Sequence, residues 1–466
     1  MNKITLLLAI LFLTTLAASA QTYKSADLPD AMTFLDGRKV NTKADWEQRK
    51  KEIKNLWCDY FIGHYPEEVP KVLSAEVIHT ETKEDGSTRK RIVLTFDTPN
   101  KKSFEIEVWE PKGITKTLRP LFLTQPRDYQ IQWAEEAVKR GYIACLYPGL
   151  DTHHKEQEYA GYGSVWKTFK DEYPDAEWAS SLGIQAWLAS RTLDYLLDKK
   201  QGYNIDTATV GISGHSRYGK QSIYAAAFDE RFTTVIARSS GSPTGTSYRF
   251  ASRQTFMESV DDYPPPWAKA SLKDFLGREN ELPIEGNALL AAIAPRHLMI
   301  HTAFNDGSDP TFGVERNYLN AKKVYQFLGV EDHIYLSYRT GQHNPITDAH
   351  TKQMFDFFDK SFKIGISKKE DFKEVLHHQF DFKEWKSKQR KEDLKLVKNT
   401  SVEEKIKWML GDQPESKKEE AAYHIKTEED LGVPNWSRDR WNPGGFKKVP
   451  FAFRGNMTGN FYFDPG

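Results

Sequence analysis

The chain has 466 residues, and 65 Lys plus Arg are balanced by 65 Asp plus Glu. That length suits one large core carrying long insertions. A formal net charge of zero supplies no global field for nucleic acid or an anionic membrane surface, which argues against a polyanion-binding role.

The chain opens as an export signal. Lys3 gives the positive start, residues 4–17 the apolar stretch, and Ala18-Ser19-Ala20 the small-residue cleavage site. Residues 1–20 are therefore expected to be removed, leaving Gln21 first in a secreted protein, periplasmic or extracellular. No later stretch is apolar over the roughly 18 residues that a membrane span requires. The chain has only two cysteines, Cys58 and Cys145. Cys145 lies in the apolar run Tyr142-Ile143-Ala144-Cys145-Leu146, where a thiol behaves as a small hydrophobe, so no essential bridge is expected. Metal-type spacing is missing from the cysteines, and neither a metal nor a cofactor is expected.

The first element is a helix with a capped start at Asn41-Thr42-Lys43-Ala44-Asp45-Trp46, in which Trp46, Ile53 and Trp57 share a face. Gly63 and Pro66 bound its end. Residues 91–96 and 104–109 alternate as half-buried antiparallel strands, and residues 120–124 follow as a central strand. Apolar runs at 142–146, 209–212, 234–237, 297–302 and 334–338 are separated by helix-length segments, among them 182–197. This pattern predicts an α/β fold of the α/β-hydrolase type: a mostly parallel central sheet flanked by helices, with antiparallel N-terminal strands. The catalytic domain is read as residues 21–362. Residues 363–466 form an extension, charged at first and then rich in aromatics, which is expected to pack back as a strap rather than join the reaction centre.

A serine hydroxyl becomes a nucleophile when a base takes its proton and donors meet the oxyanion. Ser216 sits in Gly214-His215-Ser216-Arg217-Tyr218-Gly219-Lys220, after an apolar strand and at the start of a helix, as a nucleophile elbow requires. Gly214 and Gly219 are read as keeping bulk away from it. The expected base is His343, which follows the last strand; His301, inside a strand, and His333 and His350 are competitors. The acid comes from Asn305-Asp306-Gly307-Ser308-Asp309-Pro310. Asp306, nearer the strand end, is preferred, with Asp309 as the alternative; Asp309 also reads as the cap of a helix over 312–328. His153 and His154 invite a metal reading, but adjacent residues of an extended chain point to opposite faces, so they are better placed lining a cleft mouth.

These motifs, together with Ala227-Phe228-Asp229-Glu230-Arg231-Phe232 and Leu289-Leu290-Ala291-Ala292-Ile293-Ala294-Pro295-Arg296, resemble the glucuronoyl esterases of carbohydrate esterase family 15. The resemblance implies an enzyme acting on uronic-acid esters, so the expected partner is a uronic-acid-containing polysaccharide. It further implies that Arg217 helps hold the oxyanion, that Lys220 meets sugar hydroxyls, and that Trp267 binds sugar. Lys220 also has a plainer reading, as a surface lysine solvating its helix. The family commonly carries a catalytic Glu at the end of the strand after the nucleophile helix. Here that segment reads Ala237-Arg238-Ser239-Ser240-Gly241, with no carboxylate. The Asp and His that often follow Leu-Pro are Glu285 and Asn287.

The expected reaction is hydrolysis of a uronate ester, with a lignin-type alcohol or methanol leaving from glucuronate or galacturonate. A polysaccharide deacetylase is the second enzyme reading. A catalytically silent hydrolase-fold carbohydrate-binding protein is the reading from another class.

Overall fold

The computed structural model describes residues 28–113, 117–149, 165–174, 176–250, 266–275, 278–303, 308–339 and 347–365, with 306, 343, 372, 374 and 376. The expected export signal, His153 and His154, and nearly all of the proposed C-terminal extension lie outside the described residues.

Helix α1 (Lys43–Trp57) begins at the expected cap. Asp45 N donates to Thr42 Oγ1 and Thr42 N to Asp45 Oδ2, a reciprocal capping box. Trp46, Ile53 and Trp57 are all fully buried. A π-turn, Cys58–Ile62, extends the helix to Gly63, whose φ of 79° ends it. The strands follow as β1 (Val72–Thr82), β2 (Thr88–Phe96), β3 (Ser103–Glu110), β4 (Arg119–Thr124), β5 (Ile143–Leu146), β6 (Ile205–His215), β7 (Thr234–Arg238), β8 (His297–Ala303) and β9 (Ile334–Arg339). They make one nine-stranded sheet in the order β1-β2-β3-β5-β4-β6-β7-β8-β9. The pairs β1–β2, β2–β3 and β3–β5 are antiparallel and the others parallel. β1 was not anticipated from the sequence.

Parallel strands bury both faces, and alternation divides their apolar residues between two cores. Leu121, Leu123, Val235, Ala237, Leu298 and Ile300 face one core. There they meet α1, α4 (Ser181–Leu196), α5 (Arg217–Phe228) and α7 (Thr311–Leu328); α3 (Val165–Glu172) and α6 (Gly286–Ala291) add Phe169 and Leu289 to that core. Phe122, Ala144, Ile236 and Met299 face the other core, covered by α2 (Asp128–Lys139) and α8 (Asp348–Ser361). Gly211 in β6 allows Phe358 of α8 to lie against the sheet, since a Cβ there would sit 2.5 Å from the Phe358 ring. Cys58 and Cys145 are buried and free. Among the described residues no helix is long and apolar enough to cross a membrane.

The start of the extension packs on the domain. Phe372 lies against Tyr335 and Phe357, Leu376 joins the larger core, and Glu374 accepts hydrogen bonds from Tyr318 and Lys322.

Candidate active site

Every parallel strand points its C-terminal end toward one edge of the sheet, and the candidate residues collect there. β6 delivers Ser216 into the turn before α5 at φ 60° and ψ −126°, a strained conformation for a residue with a Cβ. Ser216 N donates to Arg238 O at 2.9 Å, which ties the turn to β7. The two glycines act differently from the sequence reading. A Cβ on Gly214 would lie 2.3 Å from Tyr218 O, and one on Gly219 would lie 2.9 Å from Ser240 Cβ. They let α5 approach the strand and β7; the crowding they relieve is not at Ser216. The helix starts directly at Arg217.

His343 follows β9. Its Nδ1–H donates to Asp306 Oδ2 at 2.9 Å, and Asp306 Oδ1 accepts from Ser308 N at 3.0 Å and Ser308 Oγ at 2.6 Å. Asp306 is 1% exposed. Burial pushes its carboxyl up, but the charge and hydrogen bond of His343, with the Ser308 and Ser239 hydroxyls, outweigh it and hold the group below the ordinary carboxylate value. The His343 ring also lies 4.6 Å from the ring of His215, the residue before Ser216, which brings His343 and the elbow together. Asp309 does not reach His343. It is fully buried, accepts from Thr302 Oγ1 at 3.1 Å, and is pushed up by burial and by the charge of Asp306. Nor does it cap α7, whose cap position is Pro310 with no side-chain bond. The competing histidines are placed elsewhere: His301 is fully buried in β8, His333 Nδ1 contacts Pro295 O at the opposite end of the sheet, and His350 bonds Thr347 N at the start of α8.

Arg217 and Lys220 converge on Trp267. The Arg217 guanidinium is 4.9 Å and the Lys220 ammonium 5.2 Å from its ring centre. Trp267 is fixed by Ser180 Oγ, which donates to its carbonyl, and its Nε1–H has no partner among the described residues. Lys220 is 5% exposed and donates to Ser240 O at 2.5 Å, so it is not a surface lysine solvating its helix.

Two supports had not been recognised in the sequence. Arg339 Nη2 donates both to His343 O and to Ser239 Oγ, each at 2.8 Å, and so ties His343 to the end of β7. Ser239 takes φ 42° to do this. On the other side of Ser216, Gln130 Nε2 bonds Thr124 Oγ1 and Gln125 O, while Gln125 and Gln221 both donate to Tyr147 OH. This buried network locks the loop after β4 to α5. Among the described residues no cluster of His, Cys, Asp or Glu has metal-ligand geometry.

A strained serine elbow on a mostly parallel sheet, with a histidine-carboxylate pair at the same edge, defines a serine carboxylic ester hydrolase of the α/β-hydrolase class. A family model described as glucuronyl esterase of fungi matches residues 98–329, about half of the chain. The chain is 25% identical over 346 residues to 4-O-methyl-glucuronoyl methylesterase 1 of Wolfiporia cocos, covering 72% of this chain and 81% of that one. A carbohydrate esterase family 15 glucuronoyl esterase from Caldicellulosiruptor kristjansonii superposes with a TM-score of 0.57 at 27% identity, covering 76% of this chain and 94% of the other. A glucuronoyl esterase from Sporotrichum thermophile, solved with methyl 4-O-methyl-β-D-glucopyranuronate, shares the fold with a TM-score of 0.55 at 18% identity, covering 79% and 96%. The chain belongs to the glucuronoyl esterases, carbohydrate esterase family 15.

Proposed function

We propose that the protein hydrolyses the carboxylic ester of a glucuronic acid unit in plant polysaccharide, after export from the cell. The observation that carries the reading is the Asp306–His343 pair standing beside the Ser216 elbow. With Nδ1–H committed to Asp306, His343 Nε2 is the basic nitrogen. It takes the Ser216 proton as Oγ attacks the uronate carbonyl carbon. Asp306 stabilises the imidazolium, and Arg217 with a backbone N–H after Thr124 meets the oxyanion. Collapse expels the alcohol, lignin-type or methanol, with the proton from His343. A water deprotonated by His343 then cleaves the acyl-enzyme and restores Ser216. The sugar ring is assigned to the Trp267 face, with Lys220 supplying a buried cation beside the ring hydroxyls.

The test compares the methyl ester of 4-O-methyl-glucuronic acid with acetylated xylose and includes fluorophosphonate labelling. A kcat/KM at least about tenfold higher for the uronate ester, labelling at Ser216, and a gap narrowed by Lys220→Ala are expected. A preference for acetyl esters that Lys220→Ala leaves intact would favour a deacetylase, and failure of Ser216 to label would favour a silent binding protein.

A further inference from the structure

The α2/α8 face of the sheet carries a row of basic side chains that the hydrolysis does not use. His215 of β6, Arg238 of β7 and His301 of β8 are register partners across adjacent strands, and such partners project to the same face. Two residues earlier on that face stand Ile236 and Met299, members of the apolar core. The row therefore lies where the core gives way to the catalytic edge. Arg238 and His301 are 0% and His215 1% exposed.

A guanidinium stays charged at any accessible pH, and burying it unpaired is strongly unfavourable. Around Arg238, the contacts among the described residues are weak for such a charge. Nη1 lies 3.8 Å from Met354 Sδ, and Cζ lies 4.7 Å from the centre of the Trp133 ring. Among the described residues Nε and Nη2 have no acceptor, and neither ring nitrogen of His215 has a hydrogen-bond partner. Gln353 gives its NH2 to Ser337 Oγ at 2.7 Å, which leaves its Oε1 as an acceptor for one His301 N–H and nothing for Arg238 or His215. Among the described residues Tyr129 favours the Arg238 charge, but a phenol is not an anion near neutral pH and supplies no counter-ion. Arg339 faces both Arg238 and His301, and His350 faces His301. Asp306 reaches His215, but its oxygens are taken by His343 and Ser308. Burial first, then the nearby cations and imidazoles, holds both imidazoles well below their usual value, so each is neutral and presents one N–H.

We propose that Arg238, His215 and His301 form a binding site for a small monovalent anion of the chloride class, seated behind the His343 imidazole. The row offers N–H donors and a fixed positive charge with no free carboxylate. Water can satisfy the donors but not the charge. A divalent oxyanion would bring a second charge with no second uncommitted cation, since Arg339 is engaged by Ser239 and His343. The bound ion neutralises Arg238, so the field at the base is set by Asp306. The site does not depend on which ester is cleaved.

Crystals of the protein soaked in bromide test this directly through anomalous scattering, with a peak expected between Arg238 Nε/Nη2 and the two imidazoles. In solution, chloride replacing gluconate at constant ionic strength should raise Tm saturably, by about 3 °C. Arg238→Met keeps the contact with Trp133 and Met354 and should lose both the peak and the rise, while Arg238→Lys should weaken chloride at least about tenfold by removing the guanidinium fork. Water alone at the site in bromide-soaked wild-type crystals would overturn the proposal, as would an unchanged halide response in Arg238→Met. If that variant fails to fold, the wild-type bromide peak and chloride titration decide the question.

Discussion

Replacing Asp306 by Asn leaves the shape of the catalytic edge intact and removes only a charge. In the wild type the carboxylate accepts from His343 Nδ1 at 2.9 Å in a fully enclosed position. The imidazolium formed in the transition state therefore sits with its charge centre about 4 Å from the carboxylate, and at an effective dielectric of about 20 that attraction is about 4 kcal/mol. An amide offers none of it, and its NH2 group favours the tautomer that places the His343 proton on Nε2, where it no longer serves as a base for Ser216. Together these predict a kcat lower by about 10³–10⁴-fold. Asp309→Asn touches Thr302 rather than the base and should cost less than about tenfold. Single-turnover kinetics on a methyl glucuronate ester, with circular dichroism and melting curves to establish folding, measure both. An Asp306→Asn enzyme within tenfold of wild type, or a more damaging Asp309→Asn, would refute the assignment of the acid.

Three further outcomes follow from the same contacts. Arg339→Met frees the His343 loop from Ser239 and should lower kcat about tenfold or more with KM nearly unchanged; a change confined to KM would contradict a positioning role. His297, packed 3.9 Å from the His333 ring, is lowered to about 3 by burial and by that neighbour. The unfolded chain takes up its proton near pH 6.5 and the folded chain does not. Stability is therefore full above about pH 6.5 and falls below it, by at most about 1.4 kcal/mol per pH unit from this residue, until about pH 3. Urea unfolding between pH 7.5 and 5 should be less steeply pH-dependent in His297→Gln than in wild type, and equal slopes would disprove it. Truncation after Phe362 should keep turnover on a small uronate ester but lower Tm, because Phe372 and Leu376 leave their core contacts, the buried Leu376 alone worth about 1.5–3 kcal/mol. Loss of all turnover in a folded truncation would place the extension in the reaction centre.

Signals with a strong local cause were legible in the sequence. The helix over Lys43–Trp57 announces itself through Thr42 and Asp45, and the central strands through apolar runs that the sheet buries on both faces. β1 was illegible for the opposite reason: both of its faces are largely exposed, so no alternation is imposed on Val72–Thr82. β6 begins at Ile205, earlier than its apolar run, because Asp206-Thr207-Ala208 extend the strand into solvent. That Ser216 and His343 would stand at one edge of the sheet was readable because an elbow and a segment after the last strand are placed by chain order. The preference for Asp306 over Asp309 rested on nearness to the strand alone; that Asp306 is the one bonded to His343 goes with the Ser308 turn closing on Asp306 Oδ1, which no local pattern announces. Arg339 and Ser239 meet across the sheet, 100 residues apart in the chain, and no local pattern announces such a pair.

That contact bears on why a serine stands where the family commonly carries its acid. Arg339 donates to Ser239 Oγ, so the hydroxyl proton is left for the Asp306 carboxylate, to which Ser239 is hydrogen-bonded. A glutamate at this position would instead set a second carboxylate against Asp306. Like charges sharing one imidazole drive one another's ionisation down, so one of the pair would hold a proton and the orienting charge would be shared. With Asp306 as the proposed acid, serine here and the carboxylate after β8 are expected to work as a matched set that either substitution alone breaks. The consequence is a reversal of sign. Ser239→Glu should lower kcat in the wild-type background, yet raise it at least about tenfold in Asp306→Asn, where the new carboxylate has Arg339 beside it and no rival for His343. A double-mutant cycle on kcat reads this coupling. Ser239→Glu equally harmful in both backgrounds would show that the serine serves only to accommodate the φ of 42°, and that the acid's location is independent of it.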